Sequence, residues 1–550
     1  MCPNSPYRSA LVNGDTGRTY SYKESYKLTT NFASFLAKHG VKKGDVLAII
    51  LPNTPEFVFV FTGAPMVGVT VTTISPNFTH YEINRQLESS GATWVVTDQA
   101  RFETVKKAVS SLDKGQESGW GETMAISSSA INLVVLTSDM DQIPPNVIPL
   151  SLMLTDDGTH CPPEPVYDWH DDVVVIPYSS GTTGPPKGVM LTHSNMVSNM
   201  HQISCPEMGL LQRANRDTRE TTICILPMYH VFAMNVTMTT VMLSGGKMVT
   251  LSSFNPLTFL SAMITYRPTF LHLAPPLLAF LSMHAGVKPH HLESLRYILV
   301  GAATVDPTLI RTFKEKAPNV ELREGWGMSE LSPAASFSPE GGSVVGSCGK
   351  VLPNTQVKIV SVENGKSLGP GQPGELLVRG PQVMKGYLKN NAATEGMLKD
   401  GWLWSGDLAQ KDEDGNLFMV DRMKEMIKVK ALQVSPSELE DILRKHTDIL
   451  DAAVIGIPDE RLGEVPRAFL VKKNRKGDNE AISTQVHAFL KSRISEHKRL
   501  RGGIVFLDKI PRSPAGKILK KDLKNIELKT WCSEGGFSGR ECAMLVAYTA

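Results

Sequence analysis

The sequence predicts an α/β fold in which a large N-terminal domain precedes a smaller C-terminal domain. Three observations support this prediction. The chain has 550 residues, which is long for one hydrophobic core. Short apolar segments alternate with helical segments through the N-terminal half. After about residue 351 the pattern changes to closely spaced strands separated by Gly, Pro and Asp turns.

The alternation in the N-terminal half can be followed element by element. Apolar spacing predicts helices over Tyr22–His39, Glu56–Met66 and Tyr81–Ser90. Apolar runs predict strands at Val46–Leu51, Val69–Ile74 and Thr93–Thr97. Buried strands separated by helices favour a mostly parallel sheet covered on both faces. Residues from about 115 to 157 are rich in Ser, Gly and Asp and predict a loop-rich connection.

The C-terminal half has a different pattern. Turn residues separate strand-like segments, which predicts antiparallel pairing of Val357–Val360, Gly374–Val378 and Asn416–Val420. After Arg422 the chain alternates again, with helices predicted over Pro436–Lys445 and Asn479–Ile494. From about residue 525 there is no clear periodicity, which predicts a tail.

Composition argues against several classes of protein. The 57 Lys and Arg residues nearly balance the 55 Asp and Glu residues, so the formal net charge is +2. This balance does not favour a nucleic-acid-binding surface. The seven cysteines lack the spacing of a zinc site or a disulfide framework. A reducing compartment is therefore expected.

The sequence also predicts where the protein resides. The residues after Met1 are polar and do not resemble a signal peptide. Prolines interrupt the apolar stretch Val46–Val71, whereas a membrane helix needs about 20 apolar residues. We expect a cytoplasmic protein with no transmembrane segment. A peroxisomal location stays open, although the C-terminal Ala-Tyr-Thr-Ala is not a Ser-Lys-Leu type of signal.

The most informative segment, YSSGTTGPPKG at residues 178–188, lies between the strand-like Val173–Ile176 and a helical segment that starts at Ser194. Its glycines let backbone N–H groups turn toward an anion, its hydroxyls add donors and its lysine adds positive charge. It lacks the Gly-Lys-Ser/Thr ending of a Walker A loop. The predicted phosphate-binding residues are Ser179, Ser180, Gly181, Thr182, Thr183, Gly184 and Lys187.

This loop, with further motifs that follow in the same order, resembles the adenylate-forming superfamily of acyl-CoA synthetases, 4-coumarate:CoA ligases and firefly-type luciferases. The resemblance covers roughly Thr19 to Leu523. It implies a large N-terminal domain of several subdomains, with αβ sheets and a β-rich part, and a small mobile α+β C-terminal domain. It also implies small-molecule partners: a carboxylic acid, ATP, Mg²⁺ and coenzyme A.

The segment EGWGMSE at residues 324–330 is similar to the superfamily's nucleotide-binding motif. The resemblance implies that Trp326 stacks on adenine and that Ser329 reaches a phosphate. It makes Glu330 the Mg²⁺ ligand, since this ion favours a carboxylate together with substrate phosphates. The neighbours assigned to the same site are Glu324, Gly325, Gly327 and Met328.

Two residues of this motif depart from the common pattern. Trp326 stands where Tyr is usual, and its ring can still stack. Glu324 stands where Gln is frequent in coumarate ligases and luciferases, which puts a negative charge near a bound adenylate.

Further residues complete the nucleotide site by resemblance. Asp407, in the segment WSGD at residues 404–407, would accept hydrogen bonds from the ribose hydroxyls. Met419 and Arg422 would add ribose and phosphate contacts. Ala302 would lie under the adenine. Taken alone, its segment Gly301–Ala303 is equally well explained as a tight turn between a strand and a helix.

The segment LPMYHVF at residues 226–232 resembles the part of the superfamily that meets the acid. Taken alone, His230 fits a packed core histidine, whereas the motif makes it the gate beside the acid carboxylate. The acid-binding residues predicted with it are Phe232, Ala302 and Gly327. Phe232 stands where hydroxycinnamate ligases tend to have Tyr, which shifts the prediction toward fatty or other apolar acids, because recognition of a hydroxyl needs a partner.

Residues 421–430, DRMKEMIKVK, resemble the hinge between the two domains. The resemblance makes Lys424 the pivot of a rotation between two poses and adds Lys428 to the catalytic lysines. It places Lys430, Ala431 and Gln433 on the coenzyme A side. Ala431 replaces a common glycine, and its methyl group could narrow the pantetheine path. The predicted bounds are 1–421 for the adenylation domain, 422–430 for the hinge, 431–524 for the C-terminal domain and 525–550 for the tail.

The last motif, PRSPAGKIL at residues 511–519, contains Lys517. The resemblance places this cation between the acid carboxylate and the α-phosphate, where it would stabilise the transition state. The sequence therefore predicts an AMP-forming acid:CoA ligase for a medium- or long-chain fatty acid or a coumarate-like aryl acid. The alternatives are adenylation without transfer to coenzyme A, luciferase-like oxidation, and a non-catalytic relative that binds acids or nucleotides.

Overall fold

The structure is a computed structural model of the chain. It describes residues 6–112, 131–136, 144, 147–163, 167–179, 186–215, 217–301, 305, 307–422, 427–430, 432–474, 477–511, 518, 520, 522–524 and 526. The chain divides into a larger unit that ends near residue 423 and a smaller unit that follows it.

The helices of the larger unit are α1 (Tyr22–Lys38), α2 (Pro55–Gly63), α3 (His80–Ser90), α4 (Phe102–Ser110), α5 (Leu150–Leu154), α6 (His193–Ile203), α7 (Thr240–Ser244), α8 (Pro256–Tyr266), α9 (Pro275–Met283), α10 (Pro307–Lys316) and α11 (Asn391–Met397). The smaller unit contains α12 (Pro436–Arg444) and α13 (Asn479–Lys491). A π-helix, Phe232–Thr239, precedes α7.

The strands of the larger unit are β1 (Ser9–Asn13), β2 (Thr19–Ser21), β3 (Val46–Ile50), β4 (Thr70–Thr73), β5 (Ala92–Asp98), β6 (Asn132–Leu136), β7 (Val147–Pro149), β8 (Val173–Ile176), β9 (Tyr178–Ser179), β10 (Lys187–Thr192), β11 (Thr221–Cys224), β12 (Lys247–Thr250), β13 (Phe270–Leu273), β14 (Tyr297–Val300), β15 (Glu321–Gly327), β16 (Ala334–Phe337), β17 (Lys350–Val351), β18 (Gln356–Val360), β19 (Gly374–Arg379), β20 (Gly386–Tyr387), β21 (Leu398–Lys399), β22 (Trp402–Lys411) and β23 (Leu417–Arg422). Those of the smaller unit are β24 (Ile427–Val429), β25 (Leu432–Val434), β26 (Ile449–Asp459), β27 (Gly463–Lys472) and β28 (Ile504–Phe506).

Local sequence explains where several helices begin. Ser21 caps α1: its hydroxyl accepts from the backbone N–H of Glu24, and the Glu24 carboxylate accepts from the N–H of Ser21. Thr79 and Glu82 form the same reciprocal pair at the start of α3. This arrangement satisfies two backbone donors that the first turn of a helix leaves unpaired.

The largest described sheet has the strand order β20-β10-β8-β4-β3-β5-β6-β7, with β9 beside β10. The strands from β8 to β7 are parallel, as the alternation of strands and helices predicts. The α/β fold class is thereby confirmed. The predicted loop-rich connection at 115–157 is wrong in its described part, because β6, β7 and α5 lie there and extend this sheet. The strands β6 and β7 are short and are stabilised by pairing with a neighbouring strand, which composition alone does not reveal.

A second sheet has the order β13-β14-β15-β16-β17, in which β13, β14 and β15 are parallel. Helices α8, α9 and α10 pack their apolar side chains against it, including Phe259, Leu278 and Phe313. Ligands of open α/β sheets bind beyond the carboxyl ends of the strands. At that end of β14 and β15 lie Gly301 and the segment 324–327.

A third sheet, β18-β19-β22-β21 with β23 beside β22, is antiparallel, as predicted from the spacing of strands and turns. The predicted helix Glu56–Met66 is shorter in the structure. It ends at Gly63, and a 3₁₀ turn, Ala64–Val67, follows. Pro65 in that turn has no backbone N–H to continue an α-helical ladder.

The smaller unit, taken by itself, is a sheet of order β25-β24-β27-β26, with β28 beside β27, and the helices α12 and α13. Its core contains Leu439, Val454, Leu470 and Leu490. The predicted helices over 436–445 and 479–494 are confirmed as elements. The numerical bounds predicted for the domains, the hinge and the tail stay predictions.

Candidate functional site

The two ends of the predicted phosphate loop lie side by side in the larger unit. Strand β9 pairs with β10 so that Ser179 is the register partner of Lys187. A hairpin therefore holds together the two residues that bracket the loop. The intervening predicted residues Ser180, Gly181, Thr182, Thr183 and Gly184 lie outside the described residues.

Glu330 meets the start of this loop. The Ser179 hydroxyl donates to Glu330 Oε1 at 3.0 Å, and the Tyr387 hydroxyl donates to the same oxygen at 2.7 Å. Glu330 is only 4% exposed. Burial, followed by the negative charge of Glu330, raises the pKa of Tyr387 well above its usual value, so Tyr387 is a neutral donor. The carboxylate is thus held by hydroxyl donors and not by an arginine or lysine among its described contacts.

Tyr387 also links Glu330 to the far end of the loop. Lys187 Nζ lies 5.3 Å from the centroid of the Tyr387 ring, within the range of a cation–π contact. Tyr387 is placed there because β20 pairs with β10. The sequence analysis missed this residue. The only local signal was an aromatic residue after a glycine in the GYL segment at 386–388.

The Glu330 carboxylate fits the role of a Mg²⁺ ligand. Both hydrogen bonds described for the Glu330 carboxylate end on Oε1, so Oε2 has no hydrogen bond from a described residue. Among the residues that the structure describes, no cluster of three or more His, Cys, Asp and Glu side chains could enclose a metal. A single carboxylate that acts together with substrate phosphates is the usual Mg²⁺ arrangement.

Trp326 and Asp407 meet although they lie on different sheets. Trp326 Nε1 donates to Asp407 Oδ2 at 3.0 Å, and both side chains are almost fully buried. This contact gives Trp326 a partner for its only polar atom, which a buried indole normally finds. The departure from the common Tyr therefore has a structural consequence: the ring is tied to the carboxylate predicted to hold the ribose.

Strand pairing gathers the other residues predicted near the ribose. In the β22–β23 ladder Asp407 is opposite Arg422, and Ala409 is opposite Met419. The backbone N–H of Asp407 donates to the Ser405 hydroxyl at 3.1 Å. The structure thus brings Asp407, Met419 and the backbone of Arg422 together.

The glycines of the 324–330 segment lie where the backbone is crowded. A Cβ atom on Gly325 would collide with the Phe337 ring, and one on Gly327 would collide with the Pro333 carbonyl. Strand β15 pairs with β16 at this point. Only glycine allows this close approach, so packing alone accounts for both residues. Met328 and Ser329 follow at the edge of the strand and are partly exposed.

Glu324 is partly buried on β15, and its carboxyl group is a weaker acid than usual. Burial raises the pKa of Glu324 to about 7, although hydrogen bonds from the backbone N–H groups of Val305 and Gly346 act in the opposite direction. Burial therefore favours the protonated, uncharged form of Glu324. In its hydrogen-bonding capacity, the protonated side chain resembles glutamine, the residue that is frequent at this position.

His230 and Phe232 occupy the turn that leads into the π-helix. The backbone N–H of Phe232 donates to His230 Nδ1 at 3.3 Å. The His230 side chain is exposed, yet desolvation lowers its pKa. The exposure of the side chain argues against a packed core histidine.

Phe232 lies over a second histidine, which the sequence analysis missed. Its ring stacks on His272, with centroids 6.1 Å apart and an angle of 18° between the planes. A Cβ atom on Gly301 would lie 3.1 Å from Phe232 Cε1, so the absence of a side chain there makes room for the ring. A histidine in the apolar strand FLHL was the only sequence signal.

In the smaller unit, Lys428 lies on β24 and its backbone N–H donates to Glu464 at 2.8 Å. Gln433 on β25 is its register partner. Lys430 is exposed, with a φ of 48°, in the two-residue connection between these strands. The other predicted site residues, Ala302, Lys424, Ala431 and Lys517, lie outside the described residues.

Within the described residues, none of the helices combines the length and the apolar composition needed to cross a membrane.

Two family models match the chain. The model described as AMP-binding enzyme matches residues 2–388, and the model described as AMP-binding enzyme C-terminal domain matches residues 438–517. The first alone covers more than half of the chain, and the second lies entirely beyond residue 423, where the smaller unit begins.

The chain is similar to named ligases. It is 37% identical to 4-coumarate–CoA ligase 3 of Arabidopsis thaliana, over 94% of this chain and 88% of the relative. It is 35% identical to 4-coumarate–CoA ligase 1 of Narcissus pseudonarcissus, over 96% of this chain and 92% of the relative.

Among solved structures, o-succinylbenzoate CoA synthetase from Bacillus subtilis matches with a TM-score of 0.76 and 26% identity, over 94% of this chain and 96% of that one. An amide bond synthetase from Marinactinospora thermotolerans matches with a TM-score of 0.77 and 22% identity, over 94% and 97%. At that identity the second likeness concerns the fold alone.

Proposed function

The chain belongs to the AMP-binding enzyme family, and from this premise we propose that it activates a carboxylic acid as an acyl-adenylate and passes the acyl group to coenzyme A. It is an acid–thiol ligase of the 4-coumarate–CoA ligase type. ATP and coenzyme A are the co-substrates of such a reaction. The identity of the acid and the roles of individual residues are the parts that we propose.

The convergence of Glu330, Ser179 and Lys187 carries this proposal. Glu330 is 151 residues from Ser179 in the sequence, but its carboxylate accepts from the Ser179 hydroxyl, and Tyr387 contacts both Glu330 and Lys187. A nucleoside triphosphate and its cation need a carboxylate, hydroxyl donors and a positive charge around a Gly-rich loop, and these residues supply those groups. The Trp326–Asp407 contact adds an aromatic ring and a carboxylate for the nucleoside.

The first half-reaction joins the acid to AMP. An oxygen of the acid carboxylate attacks the α-phosphorus of ATP, and the bond to the bridging oxygen breaks to release pyrophosphate. Ser179 and Lys187 hold the phosphates, and Asp407 holds the ribose hydroxyls. Mg²⁺ bound through Glu330 would offset phosphate charge. Lys517 is the cation that we propose at the α-phosphate, where orientation and charge stabilisation account for the rate.

The second half-reaction transfers the acyl group. The thiolate of coenzyme A attacks the acyl carbonyl, the C–O bond to AMP breaks, and AMP leaves. We propose that the smaller unit changes its pose at the hinge residue Lys424. We propose that Lys430, Ala431 and Gln433 lie along the path of coenzyme A. Adenylation that stops before this step remains an alternative, since Ala431 replaces a common glycine, and luciferase-like oxidation of the adenylate is a further one.

Two classes of acid are supported by different observations. The 4-coumarate–CoA ligases to which the chain is similar support an aryl-propenoic acid. Phe232 supports an apolar acid such as a medium- or long-chain fatty acid, because its ring offers no hydrogen-bond partner to a hydroxyl. We place the aryl acid first, since similarity over nearly the whole chain outweighs one side chain.

The test is to measure AMP and pyrophosphate release by the purified protein with MgATP, with and without coenzyme A. The acids are hexanoate, decanoate, oleate, cinnamate and 4-coumarate, and Lys517→Ala serves as the inactive reference. Acyl-CoA formation that requires coenzyme A supports the ligase and names its acid. Pyrophosphate exchange without acyl-CoA rejects the transfer step and directs attention to Ala431. A folded protein that gives neither signal is a non-catalytic relative.

A further inference from the structure

The side chain of Asn53 holds the connection between β11 and the π-helix, residues 225–231. Asn53 Nδ2 donates to the backbone carbonyls of Cys224 at 3.1 Å and Leu226 at 2.9 Å. The backbone N–H of Met228 donates to Asn53 Oδ1 at 2.8 Å. Asn53 is 6% exposed and is 171 residues from Cys224 in the sequence. One buried amide group therefore satisfies three backbone groups of a distant segment and fixes the path of that segment.

A second side chain holds the residue next to His230. The Thr73 hydroxyl donates to the backbone carbonyl of Tyr229 at 2.7 Å, and Thr73 is 4% exposed. Thr73 is the last residue of β4, and its register partner Ile49 lies on the parallel strand β3, which Asn53 follows. The carboxyl ends of two neighbouring strands, where α/β sheets bind ligands, thus supply both side chains.

The imidazole of His230 takes its position from this backbone. Its side chain is exposed, and the hydrogen bond described for the ring comes from the backbone N–H of Phe232 at 3.3 Å. That distance lies beyond the usual range for an N–H donor, so the contact is weak. The backbone N–H of His230 donates to the Pro227 carbonyl, within the same connection. A shift of the connection would therefore move the ring with it.

We infer that Asn53 and Thr73 are positioning residues, which hold the connection 225–231 so that the His230 imidazole lies at the carboxylate of the acid. The inference rests on the proposed ligase function, which places His230 beside that carboxylate. Adenylation depends on orientation of the attacking oxygen, and a displacement of about 1 Å in a positioning group can cost about 10²-fold in rate. Supporting hydrogen bonds are what keep a functional side chain within such limits.

The first test removes one hydroxyl. Thr73→Val keeps the shape of the side chain but loses the donor, and Thr73→Ser keeps the donor. Thr70→Val is the matched control, because the Thr70 hydroxyl also donates to a backbone carbonyl at 2.7 Å, that of Val173, but at the opposite end of β4. The two valine variants should lose a similar amount of Tm, since each loses one such hydrogen bond.

The kinetic measurement is acid-dependent exchange of pyrophosphate into ATP with the best acid of the panel. We expect Thr73→Val to lower kcat/KM for the acid by about 5–20-fold and to change KM for ATP by less than about twofold. Thr73→Ser should recover most of the loss. Asn53→Asp, which keeps the acceptor but loses both donor contacts, should lower kcat/KM for the acid by about 10²-fold. Equal kinetic losses in Thr73→Val and Thr70→Val would overturn the inference.

A double-mutant cycle shows whether Thr73 acts through His230. In the His230→Ala background, Thr73→Val should change kcat/KM for the acid by less than about twofold, because the group that it positions is gone. If Thr73→Val costs the same factor in both backgrounds, its hydrogen bond serves the fold and the inference is overturned.

Nuclear magnetic resonance of isotope-labelled histidine makes the test independent of turnover. The His230 signal is identified by its loss in His230→Ala. It should shift in Thr73→Val and in Asn53→Asp, and it should stay in place in Thr70→Val. An unchanged His230 signal in both variants would overturn the inference and leave the ligase function intact. Absence of turnover with every acid in the wild type would instead count against the proposed function, and the signal would still decide whether these side chains position the imidazole.

Discussion

The candidate site has a proposed nucleotide end, around Glu330, Trp326 and Asp407, and a proposed acid end, around Phe232. The two ends differ in how their buried polar groups are paired. At the nucleotide end, Glu330 accepts from two hydroxyls, and Trp326 donates to Asp407. At the acid end, Phe232 stacks on His272, whose Nε2 has no partner among the described residues. The described polar groups at the nucleotide end pair with one another, whereas one described nitrogen at the acid end has no partner among the described residues.

This difference matches the chemistry that each end faces. ATP is the same molecule for every member of the family, so its contacts can be built into the fold and recur as motifs. The acid varies from one enzyme to another, so the residues that contact it can differ even within a shared motif, as Phe232 does where hydroxycinnamate ligases tend to have Tyr. We therefore expect substitutions at the nucleotide end to affect all acids equally, and substitutions at the acid end to change the ranking of acids.

The largest expected effect comes from Glu330→Gln. The amide keeps the size of the side chain and can still accept from Ser179 and Tyr387, but it removes the charge that a cation needs. Acid-dependent exchange of pyrophosphate into ATP should fall by about 10²–10³-fold with every acid. Glu363→Gln, in an exposed loop, should be unaffected. A change in the ranking of acids would contradict the separation of the two ends.

Asp407→Asn should have the next largest effect. A hydrogen bond to a charged group contributes about 1.5–3 kcal/mol, so kcat/KM for ATP should fall by roughly 10–100-fold. Trp326→Phe, which keeps a stacking ring but loses the N–H donor, should cost less than Asp407→Asn. The measurement is the steady-state dependence of AMP formation on ATP. A Trp326→Phe variant that is as impaired as Asp407→Asn would show that the carboxylate acts only through the indole.

The third prediction concerns the effect of Glu324→Gln on the pH dependence of stability. Burial holds the pKa of Glu324 near 7, above its unfolded value of 4.5. The folded state therefore binds this proton more tightly, and the carboxyl group destabilises the fold increasingly as the pH rises from about 4.5 to 7. Since the side chain is partly exposed, the cost above pH 7 is about 1–2 kcal/mol.

We expect Glu324→Gln to raise the Tm by about 2 °C or more relative to the wild type at pH 8, with a difference that shrinks toward pH 5. The measurement is thermal unfolding at both pH values, with the exposed Glu395→Gln as control. A difference that is the same at pH 5 and pH 8 would mean that Glu324 does not titrate in this range.

The smallest expected effect is that of Phe232→Tyr. The new hydroxyl would place a hydrogen-bonding group at the position of Phe232, so the ratio of kcat/KM for 4-coumarate over cinnamate should rise by about three- to tenfold. KM for ATP should not change, since the substitution lies at the acid end. A rise in KM for ATP with an unchanged acid ratio would break the division between the two ends.

Much of the nucleotide end could be predicted from the sequence. The loop at 178–188, the 324–330 segment and Asp407 are recognisable because backbone geometry and phosphate chemistry restrict which residues can occupy them. The parallel sheet could be predicted from alternating apolar runs for the same kind of reason. The short strands β6 and β7 could not, because their stability comes from the neighbouring strand and not from their own composition.

The acid end and the support of Glu330 were decided by tertiary structure. Tyr387 reaches Glu330 only because β20 pairs with β10, and His272 meets Phe232 only because β13 packs beneath the turn at 230–232. Neither pairing leaves a periodic signal along the chain, since each joins segments at least 40 residues apart. By itself the sequence determined the reaction class and the order of the elements, because those depend on local patterns. Which buried polar atoms are paired depends on distances that only the folded chain sets.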